Sequence, residues 1–168
     1  MNKYSMKRCL LLGISVMMLS ATWGKNADFS GQWTLNESKS EMGQFAMIVP
    51  LKIDANDKTD SISITKETPG FDGGGMNKVT EILGFKGKEV ESIVPPGNSK
   101  RKASAKWSED GQTLTITYSI MLDFNGETSE VKGTEVWTLV DGGKALTVTS
   151  TSSSSFGENA FKGYYEKK

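Results

Sequence analysis

The sequence predicts an all-β protein, an antiparallel meander of about ten strands closed into a barrel. Two observations carry this. The stretch Trp107-Ser-Glu-Asp110-Gly111-Gln-Thr-Leu114-Thr-Ile116 is echoed by Trp137-Thr-Leu-Val-Asp141-Gly142-Gly-Lys-Ala-Leu146-Thr-Val148. Each copy is a strand ending near a Trp, an Asp-Gly turn, and a strand alternating aliphatic residues with Thr. Gly accepts positive φ and Asp tolerates it, which suits a hairpin, and the alternation suits a sheet with one buried face. The second observation is that no stretch of the chain carries a long helical period.

Taken in order, Phe29-Ser-Gly31-Gln-Trp33-Thr-Leu35 reads as the first strand, with Gly31, Trp33 and Leu35 on one side. Asn36–Phe45 is polar and suits a helical turn or flap. A second strand is expected from Met47, with Pro50 where no ladder donor is needed. Ile53, Asp57, Ile62 and Ile64 have the spacing of Trp137, Asp141, Leu146 and Val148, so three hairpins of one type are expected. Thr68–Gly75 reads as a glycine-rich loop, Asn77–Phe85 and Glu89–Val94 as strands, and Pro95-Pro96-Gly97 as a stop. Ser99–Trp107 and Thr113–Asp123 form the next hairpin, and Phe124-Asn-Gly-Glu127 is an Asn-Gly turn. Thr128–Val140, Ala145–Ser153 and Ala160–Glu166 complete the meander. A barrel manages the two open edges of so long a sheet, and a two-sheet sandwich is the alternative.

The first 24 residues stand apart. Lys3, Lys7 and Arg8 precede the apolar run Cys9–Ser20, and small residues follow at Ala21 and Gly24, the pattern of a secretory signal peptide. The expected product is one domain, 25–168, located in the periplasm or outside the cell. Losing residues 1–24 removes three positive charges and leaves 17 basic against 20 acidic residues, a balance of −3. That gives no electrostatic case for nucleic acid, and no membrane segment is expected after processing. The chain has no His, and its one Cys lies in the leader. Disulfides, Cys/His metal sites and His-activated nucleophiles are therefore not expected, and no cofactor is implied. Lys100-Arg101-Lys102 with Lys106 is the one basic cluster. Lys100, Lys102, Ser104 and Lys106 share one strand face, read as solvated in preference to a phosphate site, while Ala103, Ala105 and Trp107 share the other.

Phe29-Ser-Gly31-Gln-Trp33, placed just after a leader, resembles the Gly-x-Trp opening of the lipocalin and wider calycin barrels. The resemblance implies that Gly31 and Trp33 close one end of the barrel and that Asn36–Phe45 covers the other. The chain departs from that family in having no Thr-Asp-Tyr motif, no disulfide and no late Arg to stack on Trp33. It also looks like a type of small exported bacterial protein without an established activity.

Period two points Trp33, Leu51, Ile53, Ile62, Ile64, Trp107, Leu114, Ile116, Tyr118, Ile120, Trp137, Leu146 and Val148 inward. It also points Glu135 inward, on the face of Val131, Gly133, Trp137 and Leu139. A buried carboxylate demands a partner or a wet cavity, whereas a one-residue slip would leave Glu135 outside beside Lys132. The expected ligand contacts are Trp137, Glu135, Tyr118, Trp107 and Ile116. Three functions fit: a barrel binding a small apolar or amphipathic ligand, an interaction module with a solid core, and a hydrolase built on a carboxylate pair such as Glu81 with Glu135. They rank in that order. No protein partner is indicated.

Overall fold

The computed structural model describes residues 25–44, 46–70, 75–124 and 127–168. Ten strands follow one another: β1 Gly31–Leu35, β2 Lys52–Asp57, β3 Ser61–Pro69, β4 Met76–Gly84, β5 Val90–Val94, β6 Ser99–Trp107, β7 Thr113–Phe124, β8 Glu127–Val140, β9 Ala145–Ser154 and β10 Gly157–Lys167. All pair antiparallel in one sheet, ordered β4-β3-β2-β1-β10-β9-β8-β7-β6-β5. The short first strand is the seam, with Trp33 opposite Ile53 on β2 and opposite Lys167 on β10. The result is a nearly closed barrel in which β4 and β5 face each other without a ladder. The link between them pairs onward instead: Lys86 bridges Lys106, and Gly87 N donates to Ala105 O at 3.2 Å.

Alternation decides what goes inside. Ile53, Ile62, Ile64, Leu114, Ile116, Trp137, Leu146 and Val148 are all buried in one core, as their parity requires. One end of the barrel is plugged by aromatic rings. Phe29 stacks on Trp107 with centroids 5.4 Å apart and meets Trp137 edge-on at 5.9 Å, while Phe85 leans on Trp107 at 5.3 Å. Such large apolar faces contribute roughly 1.5–3 kcal/mol each on burial. The segment before β1 crosses this end, where Ala27 N donates to Gly111 O at 2.8 Å and the Trp33 indole donates to Phe29 O at 2.9 Å. Lys167 lies over the Trp33 ring at 5.0 Å, so a late lysine occupies the place where the resemblance led to an arginine. The opposite end carries the β1–β2 connection, with 3₁₀ turns at Glu37–Lys39 and Ala46–Ile48.

Several boundaries differ from expectation. The second strand begins at Lys52 rather than Met47: Pro50 has no N–H, and Met47 and Ile48 lie in a 3₁₀ turn that folds Val49 into the core. Thr68 and Pro69 belong to β3, paired with Asn77 and Met76, so the expected loop starts later. The three matched hairpins differ in register as well as in their turns: Ile53 pairs with Lys66, Trp107 with Leu114 and Trp137 with Val148. Asp141 and Gly142 both take positive φ, at 52° and 67°. Gly111 alone does so in its turn, at 68°, and the turn after Asp57 uses no positive φ. That third copy has no glycine, which forces a different geometry. The expected leader at 1–24, the middle of the glycine-rich loop at 71–74 and the Asn-Gly pair at 125–126 lie outside the described residues, although Phe124 does pair with Glu127.

An interior cavity over a charged floor

Between the aromatic plug and the open end lies a cavity of about 240 Å³. Its wall is apolar toward the open end, with Ile48 and Pro50 from the β1–β2 connection, Val94 through Pro96, Ile120, Leu122, Val131 and Phe161. Its floor is polar, holding Lys66, Glu81, Arg101, Tyr118, Glu135 and Ser150. A larger concavity of about 910 Å³ lies on the outer sheet face, but Lys102, Thr117, Lys132 and Thr151 among its lining offer water-facing polar groups and no apolar enclosure.

Strand parity builds the floor. Lys66 follows Ile62 and Ile64 along the inner face of β3, and Glu81 precedes Leu83 on β4. Arg101 precedes Ala103 and Ala105 on β6, and Glu135 precedes Trp137 on β8. Lys66 Nζ donates to the two Glu135 oxygens at 2.5 and 2.6 Å, and the Trp137 indole donates to Oε2 at 3.0 Å. Arg101 Nε donates to both Glu81 oxygens at 3.0 and 3.1 Å, while its Nη2 reaches Glu135 at 3.5 Å. Ser92 on β5 donates to Glu81 at 2.7 Å. Glu81 therefore ties β4 to β5 and β6 by side chains where the backbone ladder is missing. The Arg101 guanidinium carbon also lies over the Tyr118 ring, 4.0 Å from its centre.

The electrostatics follow from burial against partners. Burial alone would raise the Glu135 carboxyl, but the charges of Lys66 and Arg101, with hydrogen bonds from Lys66 and Trp137, hold it down at about 2. Burial, reinforced by the Glu135 charge, pushes the Tyr118 phenol up. Glu135 thus stays ionised and has no proton to give, and its oxygens are committed to three donors.

The residues expected at the site divide between cavity and plug. Glu135 and Tyr118 line the cavity. Trp137 is fully buried beneath the floor and reaches the site through its hydrogen bond to Glu135. Trp107 packs in the aromatic plug against Phe29 and Phe85, and Ile116 is core under β7. Gly31 and Trp33 stand at the plugged end, where a Cβ on Gly31 would meet Lys167 Cε at 2.6 Å. Glu135 faces in, so its parity assignment needs no one-residue slip. Lys66 and Arg101 were missed. The outer face read for Lys100, Lys102 and Lys106 is where they point, but Arg101, in the same basic cluster, was assigned to neither row. Its parity with Ala103 and Ala105 was the available signal, as was that of Lys66 with Ile62 and Ile64.

Fold and cavity together define a ten-stranded, lipocalin-like antiparallel barrel with an interior cavity. Among solved structures, the zebrafish ileal bile acid-binding protein complexed with cholic acid is similar, with a TM-score of 0.53 and 20% identity over 83% of this chain and 98% of that chain. At that identity the likeness speaks for the fold. No family model matches the chain, and no curated protein matches its sequence.

Proposed function

We propose that the chain is an exported carrier that holds one small amphipathic molecule inside the barrel. The observation that carries this is the cavity itself: a half-open space of about 240 Å³ inside the barrel, with an apolar wall and a polar floor. A molecule with a short apolar body and a polar head matches that division, because the body avoids water while the head satisfies buried hydrogen-bonding groups. The space is smaller than the roughly 300–1,000 Å³ of most small-molecule sites, which favours a compact ligand. Exposed Met47, Ile48, Met76, Ile93, Met121 and Phe156 lie in or near the connections of the open end, where an apolar ligand would enter. The similarity to a barrel solved with a bound small molecule is consistent with this reading. An interaction module with a solid core would have no use for the cavity.

Native mass spectrometry of protein purified from its natural host tests the proposal. A co-purifying small molecule at one per chain is expected, and protein free of any adduct that also ignores added amphiphiles counts against it. Export rests on the pattern of residues 1–24. It predicts an N-terminus near Thr22 or Lys25 in the same preparation, and an intact Met1 would contradict it.

A further inference from the structure

We propose that the interior site selects an uncharged amphiphile, an alkyl or acyl chain ending in a hydroxyl or amide group, and discriminates against the matching carboxylate. This rests on the carrier reading above and narrows it by charge. Among the described residues lining the cavity, Lys66, Glu81, Arg101 and Glu135 are the only ones with charged side chains, two cations against two anions. Each cation already has a carboxylate partner: Lys66 lies 2.5 Å from Glu135, and Arg101 lies 3.0 Å from Glu81 and 3.5 Å from Glu135. The floor therefore has no surplus charge for a ligand to neutralise. An anionic head group would leave one uncompensated negative charge in a largely apolar site and would compete with Glu81 and Glu135 for their partners.

What the floor does offer is directional and neutral. Arg101 spends Nε and Nη2 on the two glutamates, while its Nη1 makes no hydrogen bond to a described residue. That N–H group matches a neutral oxygen acceptor. The hydroxyls of Thr68, Tyr118, Ser150 and Ser152 also line the cavity and serve as donor or acceptor in turn. A hydroxyl or amide head can meet these groups without disturbing the ion pairs.

The test compares three probes of equal chain length, octan-1-ol, octanamide and octanoate, at pH 7.5. Titration is followed through the tryptophan indole N–H resonances, because the Trp137 indole donates to Glu135 and reports on the floor. At least one neutral probe should bind ten times or more tighter than octanoate. Glu135→Gln leaves one cation in excess and should raise octanoate affinity at least tenfold relative to octan-1-ol. Lys66→Met leaves one anion in excess and should abolish octanoate binding while octan-1-ol is retained. If Glu135→Gln does not fold, Glu81→Gln makes the same change of net charge, and the wild-type ratio decides on its own. Octanoate binding as tightly as the neutral probes would overturn the selectivity and leave the carrier reading standing. Failure of all three probes to bind would overturn the carrier reading with it.

Discussion

Glu135 illustrates how a single buried charge is made tolerable. Its carboxylate is fully enclosed, and it is stable there because a lysine, an arginine and an indole converge on it. Removing the acid strands Lys66, so Glu135→Ala should cost about 3–5 kcal/mol in chemical denaturation. The same group makes stability depend on pH. Its folded value, about 2, lies below the ordinary 4.5, so its contribution is fully present above that ordinary value and disappears as pH falls toward 2. A depression of that size corresponds to about 3 kcal/mol at neutral pH. Asp57, raised by burial, works in the opposite direction, so the difference between wild type and Glu135→Gln between pH 5 and pH 2 is the quantity to measure. The gap in stability between them should shrink as acid is added, and a constant gap would contradict the ion-pair account. Tyr165 is the contrasting case. Its hydroxyl is buried with no partner among the described residues, and burial pushes its titration far up. Deleting an unsatisfied group removes its desolvation cost, so Tyr165→Phe should be neutral or stabilise by about 1 kcal/mol in the same assay.

At the scale of strands and turns, the hairpins differ in what their glycines must do. Gly142 has positive φ and open space around its missing Cβ, so Gly142→Ala should cost about 1 kcal/mol, the backbone strain alone. A Cβ at Gly111 would also meet Asn26 at 2.4 Å, so Gly111→Ala should cost more and loosen the segment that crosses the plug. Equal costs, measured by urea unfolding, would contradict that contact. Alternation along single strands was legible because its period is two and Trp, Ile and Leu mark the inner row. Lys66 and Arg101 were not, because a charge in sequence reads as surface until its partners on other strands are known. Glu81 and Glu135 reach Arg101 from two different strands, and Ser92 reaches Glu81 from a third. The missing β4–β5 ladder was equally invisible. Both strands have ordinary strand patterns, and only the β6 pairing of the Lys86–Gly87 link shows why they separate.

For the molecule as a whole, closure and cavity are linked. The barrel closes through β1 and β10 by backbone, and between β4 and β5 by the Glu81 side chain, whose partners are also the cavity floor. Emptying that floor of its charges should therefore loosen the barrel as well as change what it holds. The central claim is that the interior cavity is where a ligand sits. Val131 lines its wall from β8, opposite Ile120, and a Trp there would fill much of the volume. Overpacking of this kind costs about 1–3 kcal/mol, which is compatible with a folded protein. The decisive measurement is the affinity of a neutral apolar fluorophore, N-phenyl-1-naphthylamine, for wild type and Val131→Trp, with both shown folded by their thermal transitions. The account predicts one site in the wild type and at least tenfold weaker binding in the variant. Unchanged affinity in a folded Val131→Trp, or no binding to the wild type, would contradict it.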